Sequence, residues 1–359
     1  MYLLAAALLA AFDPASLDPR IVVTTSSADV CAGVGLQQPV PAPVRVTRSF
    51  PSSYWGCGGW MTGDGQGDVA FQCTSYLPES GWAEVISADG TTTNSQLKTY
   101  AKPVPLDDGF ASSFNPAPYG PNTQTTSFAW FDGARWQLNQ FVQPAASGWE
   151  VAGHAWTGAV MYRTDDGNGS GPMTQWVDTH GNALSDPLYW NASSVSVRGV
   201  DSLGNALVLL PGAAAFQWID QGNNPVGDQY PWTNRVSYPP WDPLIGGGLI
   251  ARNGAIYPDG APSDVPPSWL NGKPGDMQVV NAGAAYAFTR EGQCTPTVSL
   301  YAPDGTLCGS VSLYGATDAC PQPASLGVDG TLIQDVRSGT YDQYGAQVHV
   351  WRWWPQMFR

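Results

Sequence analysis

The chain has 359 residues, 43% of them hydrophobic and only 12% charged, with a formal net charge of −14. That is ample material for a packed core at half the charge of an ordinary soluble domain (~25%), the reverse of a disordered composition. Twelve Arg and only three Lys argue against duplex nucleic acid or an anionic membrane surface as partner, since both demand clustered basic residues.

The chain opens with an apolar run, residues 3–12 of MYLLAAALLAAF. It has the length of a secretory signal, although no basic residues precede it, and it is too short to span a bilayer. Residues 1–12 are therefore expected to be a signal peptide and the protein to be secreted or held at the cell surface. No other stretch reaches transmembrane length. Residues 13–54 follow, Pro-rich from 36 to 54 (LQQPVPAPVRVTRSFPSSY). They are expected either as an extended lead-in or as the outer strand of the last repeat. Six cysteines, at 31, 57, 73, 294, 308 and 320, form an even set in an exported chain, so disulfides are the expected state. They fall into two clusters of three. If all six pair within the chain, at least one bond joins the clusters.

From residue 55 onward the organising feature is repetition. QWVDTHGNALSDPLYW (175–190) matches QWIDQGNNPVGDQYPW (217–232), with Asp178 and Asp220 42 residues apart. Weaker copies surround Asp89, Asp259 and Asp304. Asp followed closely by Gly is a hairpin-tip signal. With Asp132 and Asp342 added, the anchors are separated by 43, 46, 42, 39, 45 and 38 residues. Four short strands with their turns need about 40–45 residues, the period of a propeller blade. An aromatic residue follows most anchors, Trp190 and Trp232 among them. Asp132 is the poor fit, with Val142 in that place. Second hairpins are legible in SVSVRGVDSLGNALVLL (194–210) and SLGVDGTLIQDV (325–336), and period-2 alternation in VHVWRWW marks a final strand. The expected fold is an all-β propeller of six or seven four-stranded antiparallel blades over residues 55–359.

The W-[VI]-D turn, the GNALVL strand pair and the basic-aromatic ending WRWWPQMFR resemble the secreted β-propeller repeat proteins of bacteria with large, GC-rich genomes. The resemblance implies architecture only, because propellers host many functions.

No nucleophile elbow, HExxH zinc motif, P-loop or dinucleotide fingerprint occurs, and no catalytic residue is nominated. One calcium candidate stands in TDDGNGSGPMT (164–174), where Asp166, Asn168, Ser170 and Thr174 would offer oxygen ligands in a Gly-rich loop. Too few carboxylates face the ion for tight binding, and a plain hairpin loop explains the same residues. The ligand candidates are Trp190, Trp232, Trp241 and Trp269, each beside or near Pro. Exposed aromatic rings flanked by Asp and Asn suit sugar faces; buried, the same rings would pack one repeat on the next. Three functional classes remain open. The first is an extracellular binding or adhesion protein for a glycan or protein ligand. The others are a propeller enzyme, hydrolase or lyase, with its site on the central funnel, and a structural surface scaffold.

Overall fold

The computed structural model describes residues 44–49, 54–64, 66–75, 81–87, 97–98, 103–106, 109–114, 127–140, 149–154, 158–163, 171–231, 242–251, 254–256, 277–280, 285–289, 297–312, 324–327, 332–334 and 347–352. These residues form antiparallel sheets that succeed one another along the chain. A first strand, β1 (Val44–Ser49), precedes sheet I, which contains β2 (Tyr54–Gly63), β3 (Val69–Ser75), β4 (Gly81–Ile86) and β5 (Leu97–Lys98). Sheet II is β6 (Val104–Leu106), β7 (Gly109–Phe114), β8 (Ser127–Phe131) and β9 (Trp136–Gln140). Sheet III is β10 (Trp149–His154), β11 (Gly158–Arg163), β12 (Met173–Val177) and β13 (Leu188–Tyr189). Sheet IV is β14 (Ser196–Val200), β15 (Ala206–Leu210), β16 (Ala215–Ile219) and β17 (Pro225–Pro231). Sheet V has three described strands, β18 (Asp242–Pro243), β19 (Leu249–Ala251) and β20 (Gly254–Ile256). Sheet VI is β21 (Met277–Val280), β22 (Ala285–Thr289), β23 (Thr297–Tyr301) and β24 (Leu307–Ser312). The last, sheet VII, is β25 (Ala324–Leu326), β26 (Leu332–Gln334) and β27 (Gln347–Arg352), completed by β1.

That completion joins the two ends of the sequence. β1, inside the Pro-rich segment, pairs antiparallel with β27 from Val44 opposite Arg352 to Ser49 opposite Gln347. The alternating QVHVWR strand thus lies between β26 and β1. It also corrects one anchor. Asp342 falls between β26 and β27, the second and third strands of its sheet, whereas Asp89, Asp132, Asp178, Asp220 and Asp304 fall between third and fourth strands. Sheet VII takes its fourth strand from the other end of the chain, so no third-to-fourth turn exists there to carry an Asp.

First strands meet first strands from one sheet to the next: β2 lies against β6, β6 against β10, β10 against β14, β14 against β18, and β18 against β21. Sheet VI reaches sheet VII through β22 and β25, and β2 of sheet I also lies against β25, β26 and β27. The cores sit in these seams. Val197, Ala206, Val208 and Ile219 of sheet IV, with Val195 just before it, join Trp176 of sheet III in one cluster. On its other face sheet IV buries Leu207, Leu209, Phe216 and Trp218 with Leu249 of sheet V. Strands β12, β15 and β16 are consequently buried on both faces, as continuous apolar runs such as ALVLL demand. The outer strand β17 is largely exposed; it begins and ends in Pro and carries Asp228, features that discourage pairing at an open edge.

The Asp turns share one chemistry. In Asp64–Asp68, Asp178–Asn182, Asp201–Asn205 and Asp220–Asn224 the first N–H donates to the fifth carbonyl. The carboxylate Oδ1 accepts the fifth N–H at 2.8 Å in all four. The fourth residue takes a positive φ: Gly67, Gly181 and Gly204, and Asn223 at 64°. That is the left-handed position for which Gly or Asn is selected. In an antiparallel four-stranded sheet the first and third connections leave from the same end, so these turns share one end of their sheets.

Candidate functional site

Strand three of sheets II, III and IV carries the same tryptophan, two residues before the turn Asp: Trp130 in AWFD, Trp176 in QWVD and Trp218 in QWID. Each points into the seam with the following sheet. Trp176 and Trp218 are fully buried there, while Trp130 is only half-buried, beside a cluster that includes Met173 and Val177 of sheet III. One position of the repeat is thus sealed at two seams and open at a third.

The opening is a cleft of about 250 Å³. Its apolar wall is Leu106, Phe110 and Phe131, all buried; its mouth is Trp130, Asp132, Thr179 and His180. His180 is exposed and meets the Trp130 ring edge-on, with centroids 5.5 Å apart at 85°. Thr179 Oγ1 lies 3.4 Å from His180 Nδ1. The turn that brings His180 here is held against sheet II by Gly181. At its φ of 80° the backbone comes so close that a Cβ would stand 2.5 Å from Cδ1 of Phe128. At the next seam the residue at the same turn position, Asn223, donates to the carbonyls of Thr174 (2.8 Å) and Asp186 (2.9 Å) and accepts from Thr174 Oγ1 (2.9 Å).

One carboxylate, Asp132, lines the cleft, and a second, Asp178, begins the turn that carries His180. Asp132 Oδ1 accepts from the N–H groups of Ala134 (3.0 Å) and Arg135 (2.8 Å), and its Oδ2 accepts from Gln137 Nε2 (2.6 Å). Burial alone would raise its pKa, but the Gln137 amide, the two N–H groups and the Arg135 charge outweigh it and hold the carboxyl below the ordinary Asp range. Asp178, at the base of the His180 turn, is lowered likewise. Its desolvation is outweighed by the side chain and N–H of Asn182, by the His180 N–H and by the His180 charge interaction. Both are anionic at neutral pH. A carboxylate has about four acceptor directions, and these three donors leave one on Asp132 Oδ2 among the described residues.

Of the residues nominated from sequence, Trp190 is half-buried against the cluster around Trp176, and its indole N–H donates to Thr174 Oγ1 at 3.0 Å. Thr174 itself is buried in β12, its hydroxyl donating to Asn223. Trp232, Trp241, Trp269, Asp166, Asn168 and Ser170 lie outside the described residues. Among the described residues no group of three or more His, Cys, Asp or Glu is placed to hold a metal, and no helix is long and apolar enough to cross a membrane. Cys57 and Cys73 are register partners in sheet I, and Cys308 is not free. Sequence reasoning did not bring Trp130, Thr179 and the exposed turn residue His180 together at one site. Two signals stood in the repeat: the Asp132 unit has Val142 where a trailing aromatic such as Trp190 recurs, and the turn of the next unit carries His180 where the Asp220 turn has Gly222.

No family model and no curated protein matches the chain. Among solved structures it is similar to a streptogramin B lyase, at 14% identity and a TM-score of 0.44 over 86% of this chain and 97% of that one. It is also similar to prolyl oligopeptidase B from Galerina marginata, at 10% identity and 0.42 over 77% of this chain and 46% of the other. A third likeness is to regucalcin, a calcium-binding protein from Agrobacterium tumefaciens, at 12% identity and 0.33 over 86% and 94%. Likeness at this level assigns neither ligand nor chemistry to the chain.

Proposed function

We propose that the chain is a seven-bladed β-propeller closed by β1 and that it acts outside the cell as a glycan-binding protein, with its ligand site in the cleft between sheets II and III. The ring is supported by the succession of first-strand contacts and by the antiparallel pairing of the two ends of the sequence in sheet VII. The observation that carries the binding site is the repeat tryptophan Trp130, open to a cleft where its equivalents Trp176 and Trp218 are buried. An apolar wall with an aromatic ring, a hydroxyl, an imidazole and a carboxylate at its mouth suits a sugar, whose C–H face packs on aromatic carbon while its hydroxyls need acceptors and donors.

The test is a glycan array with the mature protein and Trp130→Ala. Binding to a defined set of glycans, lost in the variant at an unchanged melting temperature, is the expected result. Binding that survives Trp130→Ala would move the site elsewhere.

A further inference from the structure

We infer that the glycan recognised in this cleft carries a free ammonium group, as in a hexosamine unit, and that Asp132 reads that charge. This rests on the glycan-binding reading and adds the substrate class. Among the described residues the cleft is lined by one carboxylate and by no Lys or Arg side chain. Asp132 is exposed at the mouth, with Oδ1 occupied by two backbone N–H groups and Oδ2 by one amide. Among the described residues the remaining acceptor direction on Oδ2 is therefore offered to solvent or ligand by an oxygen whose position is already fixed. Fixing it beforehand removes much of the ordering cost that weakens exposed ion pairs. The hydrogen bonds that fix the carboxylate also keep it ionised in mildly acidic solution, where an amino sugar carries its proton. Trp130 adds an aromatic ring, the other partner a cation prefers. A formal charge of −14 over the chain favours the approach of a cationic oligomer.

Isothermal titration in mildly acidic buffer tests this with four probes: a β-1,4-linked glucosamine tetramer, its N-acetylated counterpart, the neutral glucose tetramer and tetralysine. The expected result is that the glucosamine tetramer binds at least about fivefold tighter than either of the other sugars. Asp132→Asn should bring that ratio close to one, because Asn keeps an oxygen for the two backbone donors and loses the charge. In the wild type, rising salt should erode the same preference. Equal affinities among the sugars, or a preference that Asp132→Asn and salt leave intact, would overturn the ammonium inference while the glycan reading stands. Tetralysine binding in place of the sugars would overturn both in favour of a basic peptide, and no binding by any sugar would overturn both outright.

Discussion

Replacing Asn223 by Ala should be costly for a turn residue, because its side chain ties the turn of sheet IV to sheet III. Its side chain is 5% exposed and makes three hydrogen bonds, two donated to the carbonyls of Thr174 and Asp186 and one accepted from Thr174 Oγ1. At about 1 kcal/mol net for each bond lost, truncation removes about 3 kcal/mol. Ala also tolerates the φ of 64° less well than Asn, which adds about 1 kcal/mol. The sum is about 4 kcal/mol. Asn223→Gly loses the same bonds without the left-handed strain and should recover about 1 kcal/mol of the loss. Urea unfolding followed by tryptophan fluorescence reads both variants. A loss below about 1 kcal/mol for Asn223→Ala, or no difference between Ala and Gly, would refute the reasoning.

At Gly181, Ala meets both a φ of 80° and Phe128 Cδ1 at 2.5 Å; Gly181→Ala should destabilise by about 2–4 kcal/mol in the same assay and weaken any ligand that needs His180 beside Trp130. Trp190→Phe should cost only about 1 kcal/mol, the bond to Thr174, and leave binding in the cleft unchanged, as titration of the variant with its ligand would show. Asp201 and Asp178 should act in opposite senses with pH. Burial raises the Asp201 pKa against the opposing donors Gly248, Asn205 and Leu203. The folded chain therefore keeps a proton that the unfolded chain releases, and stability from this group falls as pH rises above the ordinary Asp value of 3.8. The Asp178 pKa is lowered, so its contribution is present above that value and lost as pH falls through the folded pKa. Wild-type stability minus that of Asp201→Asn, and minus that of Asp178→Asn, measured across mildly acidic pH, should slope in opposite directions. Non-reducing peptide mapping should find at least one disulfide between Cys31, Cys57 or Cys73 and Cys294, Cys308 or Cys320, as sheet VII brings the two ends of the sequence together; bonds confined to each cluster would contradict it.

The strand alternation and the Asp-to-Gly spacing were legible because they are local. A turn whose Asp accepts its own fifth N–H and whose fourth residue needs a positive φ writes both requirements into five consecutive positions, as in DTHGN and DSLGN. Asp132 reads as a poor fit only by its trailing aromatic; its own turn forms, with the Asp132 N–H donating to Arg135 O at 3.1 Å. Asp342 misled for a topological reason that no local pattern records, the fourth strand of its sheet coming from residues 44–49. Burial of the tryptophans was the least legible property. Trp130, Trp176 and Trp218 stand at one repeat position in near-identical context, and what separates them is the neighbouring sheet, which packs over Trp176 and Trp218 and leaves Trp130 at a cleft. Exposure there is a tertiary fact that the shared local sequence does not record.

The measurement closest to the central claim is a ligand titration of protein labelled with 5-fluorotryptophan, followed by ¹⁹F NMR and assigned by single Trp→Phe variants. Addition of the glucosamine tetramer should shift the resonance that Trp130→Phe removes and leave those of Trp176 and Trp218 in place. A shift at Trp176 or Trp218, or a ligand that binds while the Trp130 resonance stays still, would contradict the assignment of the open seam as the binding site.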